Sequence, residues 1–188
     1  MGSIDTSQFR KKAKIMFEGQ PWIIVENDFV KPGKGQAFNR TKIKNLITGR
    51  VLDKTFKSGE VFEEADITTV NMQHLFNDGH SYTFMNTQNY EQIEVPKETM
   101  EEEAKWLLEN MVCEVSFWGE RVISITPPTF VDLVVTYTEP AVRGDTANNV
   151  TKKATLETGA EIDIPLFIDS GTRIKIDTRT GKYLQRST

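Results

Sequence analysis

The chain has 188 residues, is 38% hydrophobic and carries a formal net charge of −4, enough material for one large domain or two or three small ones. No run of about 18 apolar residues is present to cross a membrane as a helix, and the opening MGSIDTSQFRKKAK lacks the apolar core of a secretory leader. The single cysteine, Cys113, excludes an internal disulfide, and a cytoplasmic chain with no membrane partner is the resulting expectation.

Strand signals dominate the first third. Lys14 to Glu26 holds two apolar runs around Glu18-Gly19-Gln20, a hairpin pattern. From Ala37 to Leu46 the residues Ala37, Asn39, Thr41 and Ile43 alternate with Phe38, Arg40, Lys42 and Lys44, so one face reads as small and apolar and the other as long and basic. Thr48-Gly49 supplies a turn before a return strand from Val51 to Phe56. After the acidic stretch at 58–66, Ile67 to Phe76 and Ser81 to Asn86 flank Asn77-Asp78-Gly79-His80, a strong hairpin signal. Pro96 then opens an amphipathic helix predicted over 97–111, with Met100, Ala104, Leu107, Leu108 and Met111 on one face. Val112 to Phe117 and Val122 to Ile125 form a further hairpin, in whose alternation Cys113 reads as a buried small hydrophobe. Thr126-Pro127-Pro128 is a stop. Beyond it, Val131, Leu133 and Val135 alternate in a strand, and turns at Thr158-Gly159 and Thr180-Gly181 separate further short ones. Short strands, frequent turns and one helix predict a mainly β chain of small barrels, with boundaries at 1–64, 65–128 and 129–188.

Charge is uneven across those pieces. The first carries twelve Lys or Arg against eight Asp or Glu, a net of +4. The second carries three against eleven, a net of −8, and the third eight against eight. A basic first piece hidden by an acidic second points to a polarised binding surface. Catalytic chemistry is scarce. His74 and His80 sit six apart around a hairpin turn and read as solvated polar residues, and with one cysteine no zinc set can be built from Cys and His. The Glu101-Glu102-Glu103 run reads as a solvated face. No Walker A, GxSxG or dinucleotide fingerprint occurs, so neither a cofactor nor a metal is expected.

Three segments carry more. In Lys31-Pro32-Gly33-Lys34-Gly35-Gln36-Ala37, proline fixes φ, the glycines permit reversal, and Lys34 projects from the tip. The loop fails as a phosphate-binding P-loop because a strand, not a helix, follows Gly35. With the basic residues Arg40, Lys42 and Lys44 behind it, it suits a probe entering a nucleic-acid cavity. The second segment is Arg143-Gly144-Asp145-Thr146, a polar loop whose backbone N–H groups can meet RNA. The third, Lys152-x-Ala154-x4-Gly159-x2-Ile162-x-Ile164-Pro165-x2-Ile168-x2-Gly171, runs into an ending from Thr178 to Arg186.

Together these segments make the chain resemble the bacterial translation elongation factor P family over its whole length, with Ile164 where valine is usual. The resemblance implies an SH3-like (KOW-type) barrel followed by two OB-type barrels, set in an L like tRNA. It implies a monomeric factor that binds the 70S ribosome between the peptidyl-tRNA and exit sites and relieves stalls at consecutive prolines, without being an enzyme. In that family the lysine matching Lys34 is extended, commonly by a β-lysyl group that a lysyl-tRNA-synthetase-like ligase attaches, and reaches the CCA end of peptidyl-tRNA. Gly144, Asp145 and Thr146 are then expected at the exit-site mRNA codon, and Tyr183 and Arg186 at tRNA or the small subunit. The elongation factor P-like paralogue fits less well, because it tends to lack both the lysine tip and the Gly-Asp-Thr loop. A generic single-strand binder sits poorly with the acidic middle piece, and an unrecognised enzyme lacks a paired nucleophile and base.

Overall fold

Alternation in the first third closes a small barrel. The computed structural model describes residues 2–140 and 151–187. Strand β1 (Ser3–Asp5) pairs antiparallel with β6 (Val61–Glu63), Ile4 opposite Phe62. Between them β2 (Lys14–Phe17), β3 (Gln20–Val30), β4 (Phe38–Asn45) and β5 (Val51–Lys57) form one antiparallel sheet in chain order. The β2–β3 link is Glu18-Gly19 with φ of 51 and 72. Both residues are left-handed, which a two-residue hairpin turn requires to match strand twist. Lys12 is left-handed too, at φ 74, a conformation that costs a residue with a Cβ about 1 kcal/mol or more.

The core of this barrel is Ile4, Phe9, Ile15, Trp22, Ile24, Ile43, Phe56 and Phe62. Its rings meet edge-on, with Phe9–Phe56 at 5.8 Å and Phe56–Phe62 at 4.9 Å between centroids. The inward face of β4 is buried as its period of two requires, but it is not apolar as the alternation suggested. Asn39, Thr41 and Asn45 are each 2% exposed beside Ile43. They are tolerated because they are hydrogen-bonded. Asn27 Oδ1 on β3 accepts from Asn39 Nδ2 at 3.0 Å and from Thr41 Oγ1 at 2.9 Å, and Asn27 Nδ2 donates to the Phe9 carbonyl at 3.3 Å. Asn45 Oδ1 accepts from the N–H groups of Ile47 and Thr48, closing the β4–β5 turn.

The next sheet has the order β11-β10-β7-β8-β9, where β7 is Ile67–Asn77, β8 Ser81–Asn86, β9 Gln92–Pro96, β10 Val112–Trp118 and β11 Arg121–Thr126. The last sheet has the order β14-β13-β12-β15-β16, from β12 Phe130–Thr138, β13 Thr151–Leu156, β14 Glu161–Pro165, β15 Arg173–Asp177 and β16 Lys182–Arg186. Counted within each sheet, both read third-second-first-fourth-fifth, so one topology is used twice. The predicted alternation in β12 holds, with Val131, Leu133 and Val135 at 3%, 0% and 0% exposure. By packing, the chain divides into two units, residues 1–69 with 116–124, and residues 70–115 with 125–188.

The helix expected over 97–111 is replaced by two single 3-10 turns, Lys97–Thr99 and Glu103–Trp106. The reason lies at both ends. Neither turn has a side-chain cap, so the free N–H groups of a helix start would go without a side-chain partner there. At the far end the chain is claimed by the sheet. Asn110, left-handed at φ 70, donates its N–H to the His74 carbonyl at 2.7 Å, and the His74 N–H donates to the Met111 carbonyl at 2.8 Å. Those bonds take residues 110–111 out of any helix, and an isolated helix of the remaining length is marginal. Met100 and Leu107 are buried nonetheless, so the apolar spacing was core without being helical.

His74 also corrects its sequence reading, whereas His80 is exposed as expected. His74 is 3% exposed, between the rings of Tyr82 and Phe84 at 5.6 and 5.4 Å. Its Nδ1 lies 3.0 Å from the Leu108 carbonyl, which only accepts, so Nδ1 carries the proton and Nε2 is buried with no partner among the described residues. Within the second unit, Trp106 packs on the core of the last sheet, beside Gly181. Thr158 Oγ1 donates to the Lys105 carbonyl at 2.6 Å and fixes the same turn. No helix among the described residues is long and apolar enough to cross a membrane.

Candidate functional site

The last β3–β4 pair is Val30 and Phe38, and β5 stays paired with β4 as far as Phe38–Lys57, so residues 31–37 form the loop of a three-stranded arm. Lys31, Gly33, Lys34, Gly35 and Gln36 are exposed, and Pro32 and Ala37 are half-buried. The Ser58 N–H donates to the Ala37 carbonyl at 3.0 Å and ties the loop base to the end of β5. Among the described residues Lys34 has neither an ion-pair partner nor a hydrogen bond, so its ammonium is free to meet something outside the chain.

The two glycines differ. Gly35 sits at φ 109, where only glycine is comfortable, so the backbone itself demands it. Gly33 is not left-handed, and a Cβ built there would meet no atom within 4 Å. The expectation that both glycines serve the reversal therefore holds for Gly35 alone. Nothing among the described residues requires position 33 to lack a side chain.

The basic strand is placed as its alternation predicts, on the outer face of the arm. Arg40 and Lys44 are exposed and Lys42 is half-buried. Their cross-strand neighbours temper the charge. Arg40 lies opposite Asp28, and Lys42 lies between Glu26 and Asp53. Lys42 Nζ bonds Glu26 Oε2 at 3.0 Å, and that contact holds the ammonium proton above its ordinary range. Arg40 instead covers the Phe38 ring at 5.7 Å. A phosphate would meet Arg40 and Lys44 directly and would have to displace Glu26 to meet Lys42. The sequence reading missed Phe29, which is 60% exposed one pair below the loop.

Tyr183 and Arg186 are three residues apart on β16, which alternation would put on opposite faces. Instead Tyr183 pairs with Ile176 and Arg186 with Ile174, two buried residues of one face, because the register slips between them and Leu184 is extra. The bulge thus turns both side chains to one side. Tyr183 packs on the core, while the Arg186 guanidinium lies 5.2 Å over the exposed Phe167 ring and donates through Nη2 to the Phe167 carbonyl at 2.9 Å. Nearby, Arg179 grips Asp177 in a fork, Nε to Oδ1 at 3.0 Å and Nη2 to Oδ2 at 2.7 Å, which holds that carboxyl below the usual carboxylate range. Gly144, Asp145 and Thr146 lie outside the described residues. Cys113 is 1% exposed, and burial pushes its thiol up to about 11.

Family models match most of the chain in three consecutive pieces. Residues 5–62 match the elongation factor P KOW-like domain, residues 67–125 its OB domain, and residues 131–186 its C-terminal domain. Two solved structures share the fold. A eukaryotic translation initiation factor 5A from Methanococcus jannaschii aligns with a TM-score of 0.55 at 23% identity, covering 67% of this chain and 94% of that one. A translation initiation factor eif-5a family protein from Naegleria fowleri aligns at 0.50 and 12% identity, covering 66% and 97%. Small barrels in series, the first bearing a lysine-tipped arm, make this a translation factor of the KOW and OB class. An elongation factor P from Magnetococcus marinus is 49% identical over 181 residues, 96% of this chain and 97% of that protein. The chain belongs to the elongation factor P family.

Proposed function

We propose that the chain binds the bacterial ribosome between the peptidyl-tRNA and exit sites and speeds peptide-bond formation at consecutive prolines, with Lys34 steadying the CCA end of peptidyl-tRNA. The observation that carries this reading is Lys34 itself, exposed on the loop between β3 and β4 with no partner among the described residues. Gly33 supports it. A glycine that neither its backbone nor its neighbours require is explained by close approach of another molecule. A β-lysyl extension of Lys34, added by a lysyl-tRNA-synthetase-like ligase, lengthens the reach and adds a cationic amine. No further cofactor is invoked.

The mechanism is positioning. Proline has a fixed φ and a constrained ring nitrogen, and a displaced peptidyl-tRNA adds an entropic penalty. Holding the CCA end near the attack geometry removes part of that penalty without proton transfer by the factor. A tenfold gain needs only about 1.4 kcal/mol, which a few phosphate contacts from the arm can supply. The ribosome remains the catalyst. Gly144, Asp145 and Thr146 are assigned to the exit-site mRNA codon on sequence alone. Tyr183 and Arg186 are assigned to tRNA or the small subunit, and the Leu184 bulge supports using them together.

The test is Lys34→Ala in reconstituted translation of a polyproline template. The variant is expected to fold normally and to lose stall relief, and full relief would refute the assignment. An intact-mass spectrum of natively expressed protein reads the modification directly.

A further inference from the structure

The turn at Arg10, Lys11 and Lys12 is not used by the arm, and it is built in a way the fold itself does not reward. All three side chains are exposed and consecutive. Among the described residues none of them forms an ion pair. The turn is held firmly from beneath. Phe9, 7% exposed, enters the core on one side. The Ala13 N–H donates to the Arg10 carbonyl at 3.0 Å, the Lys12 N–H donates to the Ile24 carbonyl at 2.8 Å, and the Ile24 N–H donates to the Ala13 carbonyl at 2.8 Å. It docks where the β3–β4 register slips between Ile24 and Glu26. At its apex Lys12 occupies the left-handed region at φ 74, a place for glycine or asparagine. A lysine here carries backbone strain, and no side-chain bond within the described residues repays it. Strain retained without internal return is a pointer to an external partner.

We propose that Arg10, Lys11 and Lys12 form a second, independent binding site that takes the phosphate backbone of RNA. The choice of RNA rests on the translational reading above. The charge pattern favours it: three successive cations on a convex turn suit a polyanion whose charges also repeat closely along its length. The adjacent groove carries Glu64 among Arg10 and Lys14, whereas the exposed turn from Arg10 to Lys12 carries cations alone. The site is therefore the turn. Its phosphates come either from tRNA or from ribosomal RNA, which share this chemistry.

The test measures binding of the full chain to ribosomes between about 50 and about 200 mM salt, for wild type, Lys11→Gln, Lys12→Gly and the double variant. Each lost phosphate contact lowers the slope of log affinity against log salt by roughly 0.7–0.9. The double variant should therefore lose about tenfold less affinity than wild type across that fourfold range. Lys12→Gly should keep or raise the melting temperature while losing its share of the slope, and Lys11→Gln checks the same charge effect without touching the strained position. Unchanged slopes in both single variants and in the double variant overturn the site. Weaker binding with an unchanged slope overturns it too, since that marks contact with a protein surface. A slope change that appears only when tRNA occupies the ribosome supports the site and assigns tRNA phosphates. A change on empty ribosomes supports it and assigns ribosomal RNA. Lys34→Ala assayed in parallel separates the two readings: normal stall relief there, with altered slopes for the turn variants, would refute the arm's role and leave this site standing.

Discussion

Replacing Asn27 by leucine tests how the arm is held. The change keeps the side chain's size and removes its polar atoms. Thr41 Oγ1 and Asn39 Nδ2 both donate to Asn27 Oδ1, and Asn27 Nδ2 donates to the Phe9 carbonyl. Asn39 retains a second acceptor, the Thr6 carbonyl at 3.2 Å, but the Thr41 hydroxyl is 2% exposed and loses its acceptor. A buried donor left unpaired costs about 1–3 kcal/mol, and the remaining lost bonds add about 1 kcal/mol. The total is about 3 kcal/mol. For a barrel of this size that lowers the melting temperature by about 10–20 °C. Calorimetry measures the shift, and native-state hydrogen exchange at β3 and β4 amides localises it. Adding Thr41→Val removes the orphaned hydroxyl and should recover part of the loss, a coupling that a double-mutant cycle isolates. A cost under about 0.5 kcal/mol, the ordinary scatter of surface changes, would refute the reasoning. So would a double variant less stable than Asn27→Leu alone.

Gly33→Ala should leave stability unchanged or slightly raised, because the new methyl meets nothing and the unfolded chain loses freedom. Stall relief in the same variant should fall, and undiminished relief would show that the space beside residue 33 is not used. Gly181→Ala should destabilise by about 1 kcal/mol through its left-handed backbone at φ 67. The added methyl would lie 3.6 Å from the Trp106 ring, an ordinary contact, so thermal unfolding should show the backbone cost and little change in tryptophan emission. Asp177 has a folded carboxyl lowered by Arg179, so the stability it contributes is complete above the usual carboxylate range and is lost as pH falls through the folded value. Asp177→Asn should flatten that acid limb in unfolding curves taken from neutral pH downward, and an unaltered limb would place the acid sensitivity elsewhere.

Strand periodicity and turn chemistry were legible because each is local. The inward set of β4 and the glycine turns at 19, 49, 79, 119, 159 and 181 follow from neighbours in sequence. The 97–111 segment was misread because its apolar spacing fits a helix and a loop threaded across a core equally well. What decides is the pairing of residues 110–111 with His74, some 36 positions away. His74 was misread for the same reason, since its burial comes from Tyr82, Phe84 and Leu108 rather than from its own strand. At the candidate site, Lys34 was legible because proline and glycine punctuate it. The partial neutralisation of Lys42 was not, because a bulge in β3 sets Glu26 opposite it and the separate β4–β5 register sets Asp53 on its other side. The same limit hid the shared face of Tyr183 and Arg186. A single extra residue at 184 reverses the alternation, and nothing in Lys182-Tyr183-Leu184-Gln185-Arg186 announces it.

The burial of Cys113 has a practical consequence. With its thiol pushed up to about 11 and the side chain 1% exposed, only about one molecule in ten thousand holds a thiolate at neutral pH, and that one is screened from reagents. As the sequence has a single cysteine, the native chain is silent to maleimides and methanethiosulfonates. A cysteine introduced on the arm loop or on the Arg10–Lys12 turn would be the one reactive handle. A fluorophore or spin label placed there would report on that surface alone, with the natural thiol left in place.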